Sequence, residues 1–251
     1  MNDYVYGTNP VQEALLGGKR KALELVLQSG SRQARLEPLR QLALKREVPV
    51  RQVARGELDR LVGHDRHQGV VLRIAPFVYA TLDDLLDSWR QRGGSAFFLV
   101  LDGITDPHNF GALLRSAEGA GCQGVIVAKD RACPVTAVVE KTAAGALAHL
   151  PLCQVTNLAR TLEELQQQGI WCYGLAGDEG ADDLFAASLA DNLALVVGSE
   201  GKGLRPNIRK HCDGLLAIPM RGRVSSLNAS VAAGIALFEV VRRQFFGGLT
   251  G

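Results

Sequence analysis

The sequence predicts an α/β protein in two parts, a small N-terminal unit and a larger C-terminal unit built on a mostly parallel sheet. From residue 96 onward, short apolar runs alternate with segments of helical periodicity, which is typical of strands joined by crossover helices. The first of these runs, residues 97–101, is apolar at every position, as expected for a strand buried on both faces. A chain of 251 residues is long enough for one large or two modest domains.

The first 76 residues contain the pattern of a compact α/β domain. A helix is expected to begin with Asn9 as its N-cap and Pro10 at its first position, and to end at Gly17 and Gly18. The further predicted elements are strands over residues 22–28, 50–53 and 69–74, and helices over residues 32–46 and 56–61. Residues 77–95 are expected to form a linker that contains an acidic helix over residues 82–89.

The C-terminal domain is expected to extend from residue 96 to residue 246. Its predicted strands cover residues 97–101, 125–128, 152–155, 170–175, 193–197 and 215–218. Its predicted helices cover residues 110–119, 136–147, 158–167, 206–211 and 226–246. Ligands of open α/β sheets bind at the carboxyl ends of the strands. The loops after residues 101, 175, 197 and 218 are therefore the first places to look for a site.

Composition excludes several classes of protein. The hydrophobic content of 47% is ordinary for a globular domain, and polar residues interrupt every long apolar run, so no membrane span is expected. The opening residues, MNDYVYGTNP, lack a basic region followed by an apolar stretch, so we expect no signal peptide and a cytoplasmic location. Five scattered cysteines without a C-x-x-C motif predict reduced thiols and no metal site.

Charge is distributed unevenly along the chain. Residues 1–76 hold 13 Lys and Arg against 8 Asp and Glu, whereas the remainder holds 15 against 18. A basic N-terminal domain favours contact with a polyanion such as RNA, although a solvated arginine-rich surface would give the same count. The candidate phosphate contacts are Arg20, Arg32, Arg35 and Arg66, together with Lys19, Lys21, Arg51 and Arg55.

The glycine-rich stretch LVVGSEGKGL, residues 195–204, follows a predicted strand. It is not a P-loop, because Gly203 stands where that motif has Ser or Thr and Val196 stands where it has its first glycine. The spacing of Gly198, Gly201 and Gly203 also differs from the dinucleotide fingerprint G-x-G-x-x-G. These glycines either serve only the geometry of a turn or hold a ligand other than a nucleotide phosphate.

Two other strand-end loops carry polar residues. In DGITDPHNFGALLRSA, residues 102–117, Asn109 is placed to cap the helix that follows, and Arg115 lies six residues later among small apolar residues. In the loop after residue 218, Ser225 and Ser226 are expected to cap the last helix, with Asn228 in its first turn.

These three segments, in this order, resemble the three motifs of the SpoU family of RNA ribose 2′-O-methyltransferases, within the knotted SPOUT class. The resemblance covers about residues 96–245. The preceding domain, with G-x-N-P-V near its start and HQG at residues 67–69, is similar to the L30e-like substrate-binding domain of that family. The resemblance implies a C-terminal trefoil knot, a homodimer, and a guanosine of 23S ribosomal RNA as the substrate.

The resemblance also implies residue roles. S-adenosylmethionine would be held by backbone contacts from Gly198, Ile218 and Leu227, with Ala176, Gly177 and Met220 nearby. The implied catalytic residues are Asn109, Arg115, Glu200, Ser226 and Asn228. Because an arginine stays protonated at neutral pH, we expect Arg115 to bind a phosphate and the emerging alkoxide rather than to act as a base. Histidine titrates near neutral pH, so His108 is the competing base.

Two rival functions remain open at this stage. One keeps the chemistry and takes tRNA as the substrate. The other is a non-catalytic RNA-binding or ribosome-assembly factor of the same fold, which would have no need of the implied catalytic set.

Overall fold

A computed structural model of the chain describes residues 3–17, 20–30, 33–177, 180–224 and 226–246. The chain divides into two compact units, with the boundary between Val78 and Tyr79. Each unit has its own sheet. Within the described ranges, every helix is too short or too polar to cross a membrane.

The N-terminal unit contains a four-stranded mixed sheet. Its strands are β1 (Asp3–Tyr6), β2 (Ala22–Gln28), β3 (Val50–Val53) and β4 (Val70–Ile74). Their order is β1-β4-β2-β3, with β2 and β3 parallel and the other two pairings antiparallel. Strand β1 was not predicted, and it lies at the sheet edge beside the central strand β4.

Three helices accompany this sheet: α1 (Thr8–Gly17), α2 (Gln33–Lys45) and α3 (Arg55–Val62). The prediction of Asn9 as the N-cap of α1 was wrong, because the helix already includes Thr8. The backbone N–H and the hydroxyl of Thr8 both donate to Oε1 of Gln68, over 3.0 and 2.9 Å. A side chain 60 residues away therefore satisfies the first turn.

The second unit contains a seven-stranded sheet, in which every pairing of named strands is parallel. Its strands are β5 (Phe97–Asp102), β6 (Gly124–Ala128), β7 (Leu152–Val155), β8 (Trp171–Leu175), β9 (Asp182–Asp183), β10 (Leu193–Gly198) and β11 (Gly214–Ala217). The order is β7-β6-β5-β10-β8-β11-β9. This confirms the predicted α/β class and the mostly parallel sheet. The two central strands, β5 and β10, are buried at every position.

The helices of this unit are α4 (Leu82–Arg92), α5 (Pro107–Gly119), α6 (Ala137–Thr142), α7 (Leu158–Gln167), α8 (Pro206–Lys210) and α9 (Ala229–Phe246). Helix α4 begins with a capping box formed by Thr81 and Asp84. Its buried residues Leu85 and Leu86 join the core cluster that contains Phe98. The helix of the expected linker is thus packed into the second unit.

Two helix predictions fail at their ends for local reasons. Helix α5 begins at Pro107 because Asp106, not Asn109, is its N-cap and accepts the backbone N–H of Asn109 over 2.7 Å. The helix expected over residues 136–147 stops at residue 142, where the chain turns through left-handed conformations at Ala144 and Gly145. A short 3₁₀ turn, Ala146–Ala148, follows.

Candidate functional site

The carboxyl ends of β5 and β10 lie side by side, with Asp102 paired in register to Gly198. The Asp102 carboxylate is buried and accepts two hydrogen bonds from Arg205: the backbone N–H over 2.8 Å and Nε over 2.5 Å. This pair ties the end of β5 to the start of α8. This pair was not predicted, although an aspartate that ends an otherwise apolar strand indicates a buried carboxylate in need of a partner.

The glycine-rich stretch forms a closed turn after β10. Ser199 and Gly203 exchange two backbone hydrogen bonds of 3.1 and 2.9 Å. A Cβ atom added at Gly198 would lie 2.1 Å from the carbonyl carbon of Gly203, so only glycine fits there. Gly198 is therefore required for this close backbone approach. The resemblance implies that Gly198 contacts the cofactor. In the structure Gly198 shapes the turn, and it is not among the lining residues of the two cavities described below.

Three of the implied catalytic residues meet at Asn228. Its Nδ2 donates to Oδ1 of Asn109 over 3.0 Å and to Oε1 of Glu200. Its Oδ1 accepts the backbone N–H groups of Ser230, over 2.9 Å, and Val231, over 3.3 Å. Asn228 is thus the N-cap of α9 rather than a first-turn residue, which corrects the prediction that placed Ser226 in that role; Ser225 lies outside the described residues.

The other two implied catalytic residues stand apart from this cluster. Ser226 is exposed and lines a cavity described below. Arg115 lies in α5 beyond Asn109, is exposed, and has no hydrogen bond or ion pair to any residue in the described ranges. The next residue, Ser116, faces α9, where its Oγ lies 3.8 Å from the position of a Cβ at Gly234. The structure therefore leaves Arg115 on an open face of α5.

A cavity of about 400 Å³ lies at the ends of β8 and β11 and is here called the β8–β11 cavity. Its lining includes five of the six predicted cofactor residues: Ala176, Gly177, Ile218, Met220 and Leu227. The backbone N–H groups of Gly177, Ile218 and Leu227 donate no hydrogen bond to any other residue that the structure describes. A Cβ at Gly177 would meet no atom within 4 Å and would project into open space.

A larger cavity of about 620 Å³, with several charged residues in its lining, lies at the ends of β5 and β10 and is here called the β5–β10 cavity. Asn109 and Glu200 line it, and Asn228, which binds both, directly follows Leu227 of the β8–β11 cavity in the chain. Its basic side chains are those of Arg131, Lys202 and Arg205. No cluster of residues suited to a metal ion occurs in the part of the chain that the structure describes.

The candidate phosphate contacts of the N-terminal unit differ in their surroundings. The Arg20 side chain is only 9% exposed, forms an ion pair with Asp3 and donates to the carbonyl of Ala75 over 3.5 Å. Such burial argues against Arg20 as a phosphate contact. Arg35 and Arg66 are exposed, and neither guanidinium has a partner among the described residues. Arg32 lies outside those residues.

Comparison with known proteins places both units. The model of the SpoU rRNA methylase family matches residues 96–238, and a model described as RNA 2′-O ribose methyltransferase substrate binding matches residues 4–80. The chain belongs to the SpoU rRNA methylase family. The match covers all three loops from which the Asn228 cluster is built.

Relatives extend the similarity over nearly the whole chain. The chain is 43% identical over 243 residues to the 23S rRNA (guanosine-2′-O-)-methyltransferase RlmB of Xanthomonas campestris, covering 97% of each protein. It is 45% identical to the RlmB of Pseudomonas putida, covering 96% of each. Its structure is similar to that of the SpoU methyltransferase AviRb from Streptomyces viridochromogenes in complex with AdoMet, with a TM-score of 0.66, 26% identity, and coverage of 98% of this chain and 91% of that one.

Proposed function

We propose that this protein transfers the methyl group of S-adenosylmethionine to the ribose 2′-hydroxyl of a guanosine in 23S ribosomal RNA in the cytoplasm. The observation that carries the proposal is the meeting of Asn109, Glu200 and Asn228 at the wall of the β5–β10 cavity, with Leu227 of the β8–β11 cavity one residue before Asn228. Full-length relatives at 43–45% identity that bear the name of this activity support the choice of substrate.

The β8–β11 cavity is the proposed site of S-adenosylmethionine. Its volume of about 400 Å³ suits a small cofactor. The free N–H groups of Gly177, Ile218 and Leu227 can bond to a purine edge and to ribose and carboxylate oxygens, and the apolar lining suits a flat ring. When bound there, the cofactor supplies a methyl group on a sulfonium, which is already a good leaving group.

The chain must then prepare the nucleophile, because a ribose hydroxyl is barely ionised at neutral pH. Positioning and electrostatic stabilisation are the means that a protein has for this. Glu200 holds the Asn228 amide in place, and Asn109 fixes it from the other side. Asn109, Asn228 and the exposed hydroxyl of Ser226 are the proposed ribose contacts.

Arg115 is proposed to bind the phosphate next to the target ribose and the developing alkoxide. Arg115→Lys should lose most of the methyl transfer while the affinity for S-adenosylmethionine is retained, because a lysine cannot reproduce a bidentate contact. His108→Ala is the matched variant one residue before Asn109, and it should remain active. Normal turnover in Arg115→Lys would remove Arg115 from the centre of the mechanism, and an inactive His108→Ala would favour the histidine as the base.

A homodimer is part of this proposal. The ring of Phe238 on α9 is 51% exposed and lies 3.9 Å from the position of a Cβ at Gly119, on the helix that carries Arg115. A second copy covering this apolar face would bring Arg115 close to the other copy's site. Mixing inactive Arg115→Ala with inactive Asn228→Ala tests this: recovered activity means that Arg115 acts across the dimer, and no recovery means that it acts within its own subunit.

The proposed roles of the domains are based on the similarity of the chain to the SpoU family. We propose residues 1–76 as an L30e-like RNA-binding domain, residues 77–95 as its connection, and residues 96–246 as a knotted methyltransferase domain. The exposed guanidinium groups of Arg35 and Arg66 support the first assignment. The double variant Arg35→Gln/Arg66→Gln should bind 23S rRNA more weakly, with unchanged affinity for S-adenosylmethionine. Equal RNA affinity would exclude these two side chains as contacts.

The direct test is transfer of tritium from labelled S-adenosylmethionine to unmodified 23S rRNA, with tRNA as the second substrate. We expect the label in 23S rRNA, on the 2′-oxygen of one guanosine. Label in tRNA alone would exclude the proposed substrate. RNA binding without any incorporation would favour a non-catalytic binding factor.

A further inference from the structure

The N-terminal unit has a cavity of its own, with a volume of about 240 Å³, here called the β2–β3 cavity. It lies at the carboxyl ends of the parallel strands β2 and β3, which is where open α/β sheets bind their ligands. Its lining consists of Leu27, Gln28, Leu36, Glu37, Arg40 and Gln52. The volume is below the roughly 300 to 1,000 Å³ of pockets for drug-sized ligands, so the cavity suits a single ring system.

Gln28 is the lining residue that the fold leaves unsatisfied. Its backbone N–H donates to the carbonyl of Gly69 over 2.8 Å, but its side-chain Oε1 is buried and accepts no hydrogen bond from the described residues. Its Nε2 donates to no residue in those ranges either. A buried amide without partners costs free energy that an apolar side chain of similar size would avoid. An unsatisfied amide in the wall of a cavity therefore points to a ligand.

The turn before β4 makes room for this amide. A Cβ atom added at Gly69 would lie 3.3 Å from Oε1 of Gln28 and 3.4 Å from Cδ1 of Leu36, and Gly69 has a φ of 78° to 88° in no other residue's place but its own value of 83°. The buried His67 fixes the turn, because its Nδ1 accepts the N–H of Gly69 over 3.0 Å and its Nε2 donates to Asp59 over 2.9 Å. The HQG stretch thus helps to shape the β2–β3 cavity.

The charged residues of the lining balance each other. Arg40 and Glu37 form an ion pair of 3.0 Å, and Oε1 of Glu37 also accepts from Gln41 over 2.6 Å. The hydrogen bonds from Gln41 and Arg40 hold the pKa of Glu37 below its ordinary value of 4.5, so the carboxylate stays ionised. Its Oε2 has no partner within the described part of the chain. The cavity offers a donor at Gln28, an acceptor at Glu37 and no net charge, which suits an uncharged ring better than a phosphate.

We infer that the β2–β3 cavity binds one unpaired base of the RNA substrate. This inference rests on the proposed function. Proteins recognise RNA sequence mostly at unpaired bases, by hydrogen bonds to the base edges and by stacking on aromatic rings or guanidinium planes. Nε2 of Gln28 donates to a carbonyl or ring nitrogen of the base, Oε2 of Glu37 accepts from an amino or imino group, and the Arg40 guanidinium supplies a planar surface. The N-terminal unit then reads a base, which a phosphate contact cannot do.

The first test is the binding of an unmodified 23S rRNA transcript to the full-length protein over a series of KCl concentrations. Gln28→Leu should weaken binding about tenfold, the value of one hydrogen bond. The slope of log affinity against log salt should not change, whereas the loss of one phosphate contact on a single strand makes it shallower by about 0.7. A shallower slope for Gln28→Leu would therefore contradict a base contact.

The same variant separates binding from stability. Gln28→Leu should be at least as stable as wild type in urea unfolding followed by circular dichroism, because leucine removes the unpartnered amide. Gln52→Ala, at an exposed position of the same lining, is the second variant and should also weaken RNA binding without unfolding the unit. Gln91→Leu is the matched control, since Gln91 is an exposed glutamine on α4 of the second unit, and it should bind RNA as wild type does.

Chemical probing of the bound transcript identifies the contact directly. Dimethyl sulfate, kethoxal and carbodiimide together modify the edges of all four unpaired bases. Wild type should protect one unpaired base that becomes reactive again in the complex with Gln28→Leu. Affinities of Gln28→Leu and Gln52→Ala equal to that of Gln91→Leu, or a reactivity pattern that is the same in both complexes, would overturn the inference. Both experiments measure binding alone, so they decide the inference even if wild type transfers no methyl group, a result that would count against the proposed function instead.

Discussion

Glu239 offers a prediction whose size can be worked out from the structure. Its buried carboxylate accepts from Arg242, over 2.8 Å at each oxygen, and from Nε of Arg243 over 2.7 Å. Arg243 in turn donates to the carbonyls of Leu184 and Ala187. The carboxylate therefore anchors α9 to the segment that follows β9, and Glu239→Gln should release it.

The hydrogen bonds and charges of the two arginines hold the pKa of Glu239 at about 2, below its ordinary value of 4.5. This shift corresponds to about 3 kcal/mol at neutral pH. Because the Arg242 side chain is 56% exposed and solvent screens its charge, we expect the ion pairs of Glu239 to contribute about 2 kcal/mol to the free energy of unfolding. A lowered pKa gives stability that is complete well above the unfolded pKa and is lost as the pH falls through the folded one.

Urea unfolding followed by tryptophan fluorescence measures this effect, because both tryptophans, Trp89 and Trp171, lie in the second unit. Glu239→Gln should be less stable than wild type at pH 7, and the difference should fall by more than half by about pH 3. Glu164→Gln, which breaks an exposed pair with Arg160, should cost about 0.5 kcal/mol or less. A stability difference for Glu239→Gln that does not change with pH would refute the electrostatic account.

Four further substitutions follow from the site. Asp102→Asn should destabilise the second unit by about 2 kcal/mol, since it removes the charged acceptor of two hydrogen bonds, while the Arg205 side chain, 39% exposed, can be hydrated; a loss within error in the same urea assay would contradict this. Gly198→Ala should cost about 2 kcal/mol or more through the clash with Gly203, and unchanged stability would mean that the turn can move aside. Gly177→Ala should unfold like wild type but bind S-adenosylmethionine at least tenfold more weakly by calorimetry, whereas unchanged affinity would place the cofactor elsewhere. Asn228→Ala should lose about 1 kcal/mol as a helix cap and about a hundredfold in methyl transfer, and full activity would remove it from the site.

The sequence predicted the C-terminal architecture well because its strands are buried on both faces. Continuous apolar runs such as the one in β5 leave little choice of structure, and the alternation with helices fixes the parallel class. Edge strands were missed for the opposite reason. β1 and the two-residue β9 are short and partly polar, so only their pairing in the folded sheet defines them.

The site was predictable as a set of loops but not as a set of contacts. Polar residues after three separate strands indicated where Asn109, Glu200 and Asn228 would lie, since parallel strands end at one edge. Which residue caps which helix depends on long-range partners, and the errors at Asn109 and Asn228 arose there.

The central claim is that the ends of β8 and β11 and the start of α9 hold the methyl donor beside the Asn228 cluster. A crystal structure of the protein with S-adenosylhomocysteine tests it most directly. The ligand should lie in the β8–β11 cavity, hydrogen-bonded to the backbone of Gly177, Ile218 and Leu227, with its sulfur facing the cluster. A ligand bound in the β5–β10 cavity, against Lys202 and Arg205, would contradict the account.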